Sequence, residues 1–308
     1  MGQQKICFES LYNLSGPVSI ADYLREHSPL SGRSLRKIFF KGLVYRNGKK
    51  AHSQTFLSPG DHIIVYSLVE NHPSLEPEAI PIDLIYEDQN MLVINKPASI
   101  AVHPSGNLKS GTLANAVAYY YAQTGLKAKV RPVNRLDYGT SGLIIFAKNT
   151  PTQTLLSEEI NKGRIGRIYY TLVAGVTAKD RGIIDLPIGR QNGSFKVTSD
   201  GKNALTEYHT LTRFKNASLL EMKLKTGRTH QIRIHLSAIG YPIYGDRQYG
   251  IKTPLIKRPA LHAGKLTFQN SAFKIPELQV RWPKDFEKLV TVLEENSQTN
   301  SSPSKVKV

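Results

Sequence analysis

Cysteine is almost missing from this 308-residue chain: Cys7 stands alone, so neither a disulfide framework nor a cysteine-based zinc site can be built. A reducing compartment is the expectation. No apolar run reaches the roughly 18 residues that span a bilayer, and Met1 to Ser10 lacks the basic start and apolar core of a secretory signal. The expected protein is therefore soluble and cytoplasmic, with no membrane partner. Acidic residues are also scarce, 24 Asp+Glu against 41 Lys+Arg, which leaves a net charge of +17. That excess is more than solubility needs and points to a polyanionic partner, with nucleic acid first. What is present, 40% hydrophobic residues over this length, suffices for one large core and a smaller one.

Ile20, Tyr23 and Leu24 after Ser19 read as a short amphipathic helix, and Leu35, Ile38 and Phe39 after Ser34 as a second one, stopped by Gly42. Short strands follow at Leu43–Tyr45 and His62–Tyr66, with turn signals at Asn47-Gly48 and Pro59-Gly60. A small α+β domain is expected over 1–67. Pro73, Pro77 and Pro81 mark 68–81 as a linker, a large second domain is expected over 82–293, and the Asn-, Ser- and Lys-rich stretch 294–308 reads as a disordered tail. Within the large domain, apolar runs at Met91–Ile94 and Leu143–Ala147 predict buried strands, and Ile168–Val173, Ala204–Leu211 and Leu219–Lys225 have β character. Helices are predicted from about Thr112 to Tyr121 and from Thr150, taken as N-cap with Gln153 completing a capping box, to Gly163. Asp200-Gly201 is a hairpin-turn candidate. The pattern gives an α+β class with a mixed or antiparallel sheet.

Arg33, Lys37 and Lys41 recur at helical spacing with Arg36 beside them, so they share one face and can meet successive phosphates of an RNA strand. The same spacing also fits a solvated charged face. Ser31 to Lys50, together with Pro59-Gly60-Asp61, resembles the alpha-L RNA-binding module, and that likeness implies RNA contact by these four residues.

Arg131 to Gly142 is a loop directly before a buried strand, which presents Asp137 from a rigid support. From the segment alone, Asp137 can equally be a turn or N-cap residue. Arg135-Leu136-Asp137 with Thr140-Ser141-Gly142-Leu143, however, resembles the signature of RluA-type pseudouridine synthases. Asn95-Lys96-Pro97, His103-Pro104, Arg167-Ile168-Tyr169, Thr226 to Arg233, Gly245-Asp246 and Leu261-His262-Ala263 occur in the same order as in that family, over about 82–285. One position departs: many members carry His where Asn134 stands, and an amide cannot titrate.

The resemblance implies that Asp137 is the catalytic carboxylate, that Arg233 pairs with it, and that Arg135 fills the space left by a flipped uridine. It implies that Tyr169 packs on the flipped ring and takes the proton from carbon 5. A guanidinium beside a carboxylate fixes its orientation and favours its charged form. Whether Asp137 acts as nucleophile or as base on the ribose stays open. Thr226 to Arg233 leads into a helix whose N-terminus, with Arg228, suits a phosphate or a carboxylate. The reaction needs no cofactor, and His230 and His235, five apart, do not share a helix face as metal ligands would. The expected partner is RNA, with rRNA ranked ahead of tRNA because the alpha-L module often accompanies rRNA-directed members, and a monomer is the default. A non-catalytic RNA-binding or ribosome-assembly factor is the competing class.

Overall fold

The computed structural model describes residues 6–28, 30, 32–66, 75–269 and 271–298, and divides into two compact units between Ser74 and Leu75. The first unit contains β1 (Ile6–Tyr12), β2 (Val18–Ser19), α1 (Ile20–His27), α2 (Gly32–Phe40), β3 (Val44–Arg46), β4 (Lys49–Lys50), β5 (Phe56–Leu57) and β6 (Asp61–Tyr66). Its main sheet has the order β1-β6-β3-β4. Ser19 caps α1 by accepting from the Asp22 amide, and Leu24, Leu35, Ile38, Val44, Ile63 and Val65 form the core. Asn47 and Gly48 both adopt positive φ, +50° and +74°, which closes the β3–β4 hairpin. Strand β1 carried no clear signal in the sequence and is fixed by pairing with β6.

The second unit contains β7 (Asp83–Glu87), β8 (Met91–Lys96), α3 (Leu113–Gln123), β9 (Arg131–Pro132), β10 (Ser141–Ala147), α4 (Thr150–Asn161), β11 (Gly166–Ala174) and β12 (Arg181–Asp185). It continues with β13 (Ile188–Gln191), β14 (Ser194–Val197), β15 (Leu205–Arg213), β16 (Ala217–Leu224), α5 (Gln231–Ala238), β17 (Leu261–Thr267), β18 (Leu278–Gln279) and α6 (Lys284–Gln298). A mixed sheet of order β12-β15-β16-β11-β17-β10-β8-β7 forms its centre, with β18 on β17 and β9 on β10. The α+β class with a mixed sheet is thus observed. Strands β8 and β10 read as unbroken apolar runs because both faces are covered. Leu92, Ile94, Ile144 and Phe146 point into one core with α3, α5 and α6, while Met91, Val93, Leu143 and Ile145 point into another with α4.

Several sequence expectations shift. Residues 75–81 are not free linker: Ile80 packs on the core, Glu76 and Glu78 bond the Asn115 side chain and main chain, and the Glu78 carboxylate accepts from the Gly111 amide at 2.9 Å. Their prolines look linker-like while their hydrogen bonds dock them. The predicted tail begins too early, because α6 continues to Gln298, with Leu293 buried and Ser297 accepting from the Lys215 amide at 2.9 Å. Residues 299–308 of the tail lie outside the described residues, as do residue 67 of the first domain and 68–74 of the linker. The cap of α4 is Asn149 rather than Thr150, with its Oδ1 accepting from Thr152 at 2.9 Å. Gln153 reaches the Pro132 carbonyl instead of closing a capping box. The hairpin turn is Asn192-Gly193, joining β13 and β14, whereas Asp200-Gly201 folds back so that Lys202 bridges Ile188. Strand β15 pairs with β12 and β16, so no hairpin forms at Asp200.

One parallel pairing, β10 with β17, sits among antiparallel neighbours and anchors the loop that precedes β10. Gly142 makes it possible: φ is +113°, and a Cβ there would overlap the Ala263 main chain. Beside it, Ser141 and His262 face each other across the strands, with Oγ and Nδ1 2.9 Å apart. Burial, then the nearby Arg258 charge, push the His262 pKa down from 6.5 to about 4. Between those values the unfolded chain binds a proton that the folded chain refuses, so stability falls as pH drops from about 6.5 to about 4. In urea unfolding measured from pH 7 to pH 4.5, His262→Gln is expected to flatten this acid limb; an unchanged slope would contradict the linkage.

Candidate active site

Asp137 sits between β9 and β10 on a loop tied down at both ends. The Gly139 amide donates to the Ala98 carbonyl at 2.9 Å, and the Thr140 amide to the Asp137 carbonyl at 3.0 Å. Leu136 points into the core. Asn134 is buried and clamps β10: its Oδ1 accepts from the Ile145 amide at 2.8 Å and its Nδ2 donates to the Leu143 carbonyl at 3.5 Å. A carboxamide supplies both bond types in one plane, so this position works here without any titratable group. Below the loop, the fully buried Lys96 donates to the carbonyls of Pro97 and Ile100 at 2.9 and 2.8 Å. Burial, and then the Arg258 charge, bring its pKa down to about 7.

Helix α5 delivers the partners. Arg233, 8% exposed, holds Asp246, 0% exposed, through a fork of Nε to Oδ2 at 2.6 Å and Nη2 to Oδ1 at 2.8 Å. Its remaining nitrogen, Nη1, donates to Asp137 Oδ2 at 3.4 Å. Burial opposes the charge on both Arg233 and Asp246, but their mutual bonds outweigh it. The guanidinium is held above its ordinary range and the Asp246 carboxyl below its own. The Tyr249 ring lies 5.0 Å from the guanidinium, and the Gln248 and Tyr249 amides donate to Asp246 Oδ1.

His230, the N-cap of α5, adopts φ +57°, uncommon for a residue with a side chain, and makes no side-chain cap bond. Its Nε2 lies 3.9 Å from Asp137 Oδ2 and its Nδ1 3.0 Å from the Tyr249 hydroxyl. Gln248 Nε2 donates to that hydroxyl at 3.1 Å. Burial lowers the His230 pKa, opposed by the Asp137 charge, so the ring is neutral near pH 7. The helix terminus expected to attract an anion therefore faces one of the protein's own, the Asp137 carboxylate. Among the described residues Asp137 Oδ1 has no hydrogen-bond partner.

Tyr169, on β11 opposite Met222, is buried and walls the same cleft. Burial, reinforced by the Asp137 charge and opposed by Arg167, raises its pKa, so the resting phenol is protonated. Arg135 and Arg228 are exposed at the rim, the first donating to Thr229 Oγ1 at 3.4 Å and the second to the Asn203 carbonyl at 3.0 Å. Two adjoining spaces of about 50 and 250 Å³ are lined by Arg135, Asp137, Tyr169 and Arg228. The structure thus gathers five of the nine residues named from the sequence. Of the other four, Arg36, Lys37 and Lys41 are exposed in the first unit, Lys41 one residue past α2, and the Arg33 side chain is not among those described. Asp246 and His230 received no role from the sequence, although both stood inside recognisable blocks. Their signal, an acid and an imidazole near an arginine, needs the fold to bring them within reach. Among the described residues no cluster of three potential metal ligands forms, and no helix is long and apolar enough to cross a membrane.

The fold that carries this site is a known one. Human RNA Pseudouridylate Synthase Domain Containing 4 superimposes with a TM-score of 0.57 at 23% identity, covering 68% of this chain and 92% of that one. Human RNA Pseudouridylate Synthase Domain Containing 1 gives a TM-score of 0.54 at 24% identity, covering 72% and 97%. A family model, RNA pseudouridylate synthase, matches residues 90–238. The uncharacterized RNA pseudouridine synthase YlyB of Bacillus subtilis is 39% identical over 83% of this chain and 87% of its own length. Ribosomal large subunit pseudouridine synthase D of Pasteurella multocida is 34% identical over 89% and 91%. The chain belongs to the RNA pseudouridine synthase family, and it is an isomerase of that class.

Asp246→Asn leaves the buried Arg233 without its balancing charge and is expected to destabilise the protein by about 3–5 kcal/mol, read by denaturant unfolding. Replacing both by apolar residues, Arg233→Met with Asp246→Leu, is expected to recover much of that stability and none of the activity. Full activity in the double variant would deny Arg233 its place at Asp137.

Proposed function

We propose that this enzyme isomerises specific uridines of large-subunit ribosomal RNA, with Asp137 acting on the extruded nucleotide. The observation that carries the reading is the convergence of Arg233 and His230 on one oxygen of Asp137, which leaves Oδ1 without a partner beside Tyr169. The Arg233 hydrogen bond to Oδ2 at 3.4 Å, with the His230 ring standing 3.9 Å from the same oxygen, orients the carboxylate before substrate arrives, so little reorganisation is left for the reaction itself. The target reading is supported by relatives named for the large ribosomal subunit and by the exposed cations Arg36, Lys37 and Lys41 on the first unit, which resembles an alpha-L module.

In the isomerisation the bond from ribose carbon 1′ to uracil N1 breaks, the base turns, and a bond from carbon 1′ to carbon 5 forms. The carbon 5 proton leaves and N1 gains one, so atoms and charge balance without any added group. Asp137 starts the sequence, as a nucleophile at carbon 1′ or as a base toward the ribose. Arg135 at the rim occupies the stack position that the uridine vacates, and Arg228 meets its backbone. Tyr169 packs against the turned ring. Since its phenol rests protonated, it accepts the carbon 5 proton only as it hands its own proton on to N1, the atom that gains one, and so ends unchanged.

The test is release of tritium from carbon 5 of uracil in unmodified large-subunit rRNA. Asp137→Ala is expected to reduce release at least about a hundredfold while RNA binding persists; undiminished release would remove Asp137 from the chemistry. Tyr169→Phe keeps the ring and is expected to slow release by a similar factor. A wild-type rate in that variant would confine Tyr169 to packing. Tight binding of rRNA with no release by the wild type would point to a binding platform instead.

A further inference from the structure

The cleft around Asp137 is not the largest space in the second unit. A cavity of about 1050 Å³ opens on the other side of the same loop: Asp137 lines the cleft, while its neighbours Tyr138 and Gly139 line this cavity. Tyr138 is 68% exposed and has no ring or hydrogen-bond partner among the described residues. The same cavity is lined by Trp282, the only tryptophan of the chain, held in place by an edge contact with Tyr170 and a tilted one with Phe286, at 5.7 and 5.3 Å between ring centres.

Charge at this cavity is predominantly positive. Lys257, Arg281 and Lys284 are exposed at its walls and pair with nothing among the described residues. Of its two carboxylates, Asp285 is forked by Arg258 at 2.7 Å on each oxygen, and Asp83 keeps its charge while accepting from the Asn95 amide at 2.9 Å, so the unpaired cations outnumber the unpaired acid. Arg258 also donates to the Gly139 carbonyl at 3.2 Å, so whatever fills the cavity rests against the strip of chain that carries Asp137.

Two aromatic faces with three unspent cations form the chemistry that binds single-stranded nucleic acid, in which bases stack and phosphates meet ammonium or guanidinium groups. From this we infer that the cavity between Tyr138 and Trp282 is a second nucleotide subsite, taking an unpaired base that flanks the target uridine in the same RNA strand. Lys257, Arg281 and Lys284 hold its phosphates. The inference rests on the reading of RNA as substrate. A strand that crosses the loop then places one nucleotide on each side of residues 137–139, and the grip on the flanking base sets the position of the uridine over Asp137.

Trp282 reports on its own cavity, and as the chain's single tryptophan it does so without interference. The full-length protein is titrated with a uridine hexanucleotide and with unmodified large-subunit rRNA. Tryptophan emission reads the cavity, and the anisotropy of end-labelled RNA reads binding at any site. Quenching of Trp282 that saturates with binding, and that persists in Asp137→Ala, is the expected result. Tyr138→Ala and the pair Lys257→Ala with Arg281→Ala are expected to weaken that quenching. In tritium release both should raise KM for rRNA about tenfold with kcat little changed. RNA that binds tightly while Trp282 emission and its acrylamide accessibility stay unmoved would overturn the subsite and leave the RNA reading standing. Absence of RNA binding by anisotropy would instead remove the reading on which the subsite rests.

Discussion

Everything at the active site depends on the buried bidentate contact between Arg233 and Asp246. A guanidinium 8% exposed cannot be left without a counter-charge, and Asp246, fully buried, supplies it with two short bonds. The pair uses two of the arginine's three nitrogens and so aims the third at Asp137. The Asp137 carboxylate is thereby oriented by a side chain whose own position is dictated by burial. A surface arginine in the same place would lose that precision to rotamer freedom and screening.

The sheet supplies the second constraint. Asp137 lies on a loop whose far end enters β10, a strand buried on both faces and bonded to β8, β9 and β17. Helix α5 packs Ile232 and Leu236 into the same core that receives Leu136. The distance between Asp137 and Arg233, 96 residues apart in sequence, is therefore held by packing on one side of a single sheet rather than by the weak 3.4 Å contact itself. Loop and helix end are free to differ in chemistry only where they face the cleft. Asn134 illustrates the division: it sits in the loop, yet both of its polar atoms are consumed by β10.

Much of this was legible in the chain, and the reasons differ from residue to residue. Strands β8 and β10 could be read because double burial leaves an uninterrupted apolar run, and α1 because Ser19 caps it in the expected way. Asp137 could be singled out because its neighbours form a recognisable block, although the loop alone did not distinguish it from a turn residue. Edges of elements were less legible. Residues 75–81 look like linker in composition because their docking uses main-chain and carboxylate hydrogen bonds and a single apolar side chain, Ile80, with no periodic apolar pattern. The end of α6 was hidden by polar composition, since a single serine bond and a buried Leu293 sustain it.

The amino-acid order by itself determined a basic, nearly cysteine-free chain with two apolar patterns, and the run of residues that marks a pseudouridine synthase. These are local properties, carried by composition and by spacing within a few turns of chain. Only the tertiary structure decided that Asp246 is the primary partner of Arg233, that His230 turns its Nε2 toward Asp137, and that Tyr138 and Asp137 face different cavities. Each of those facts is a distance between groups far apart along the chain or a choice of side within one loop. Burial and pairing in the folded sheet fix such quantities, and no pattern along the sequence encodes them.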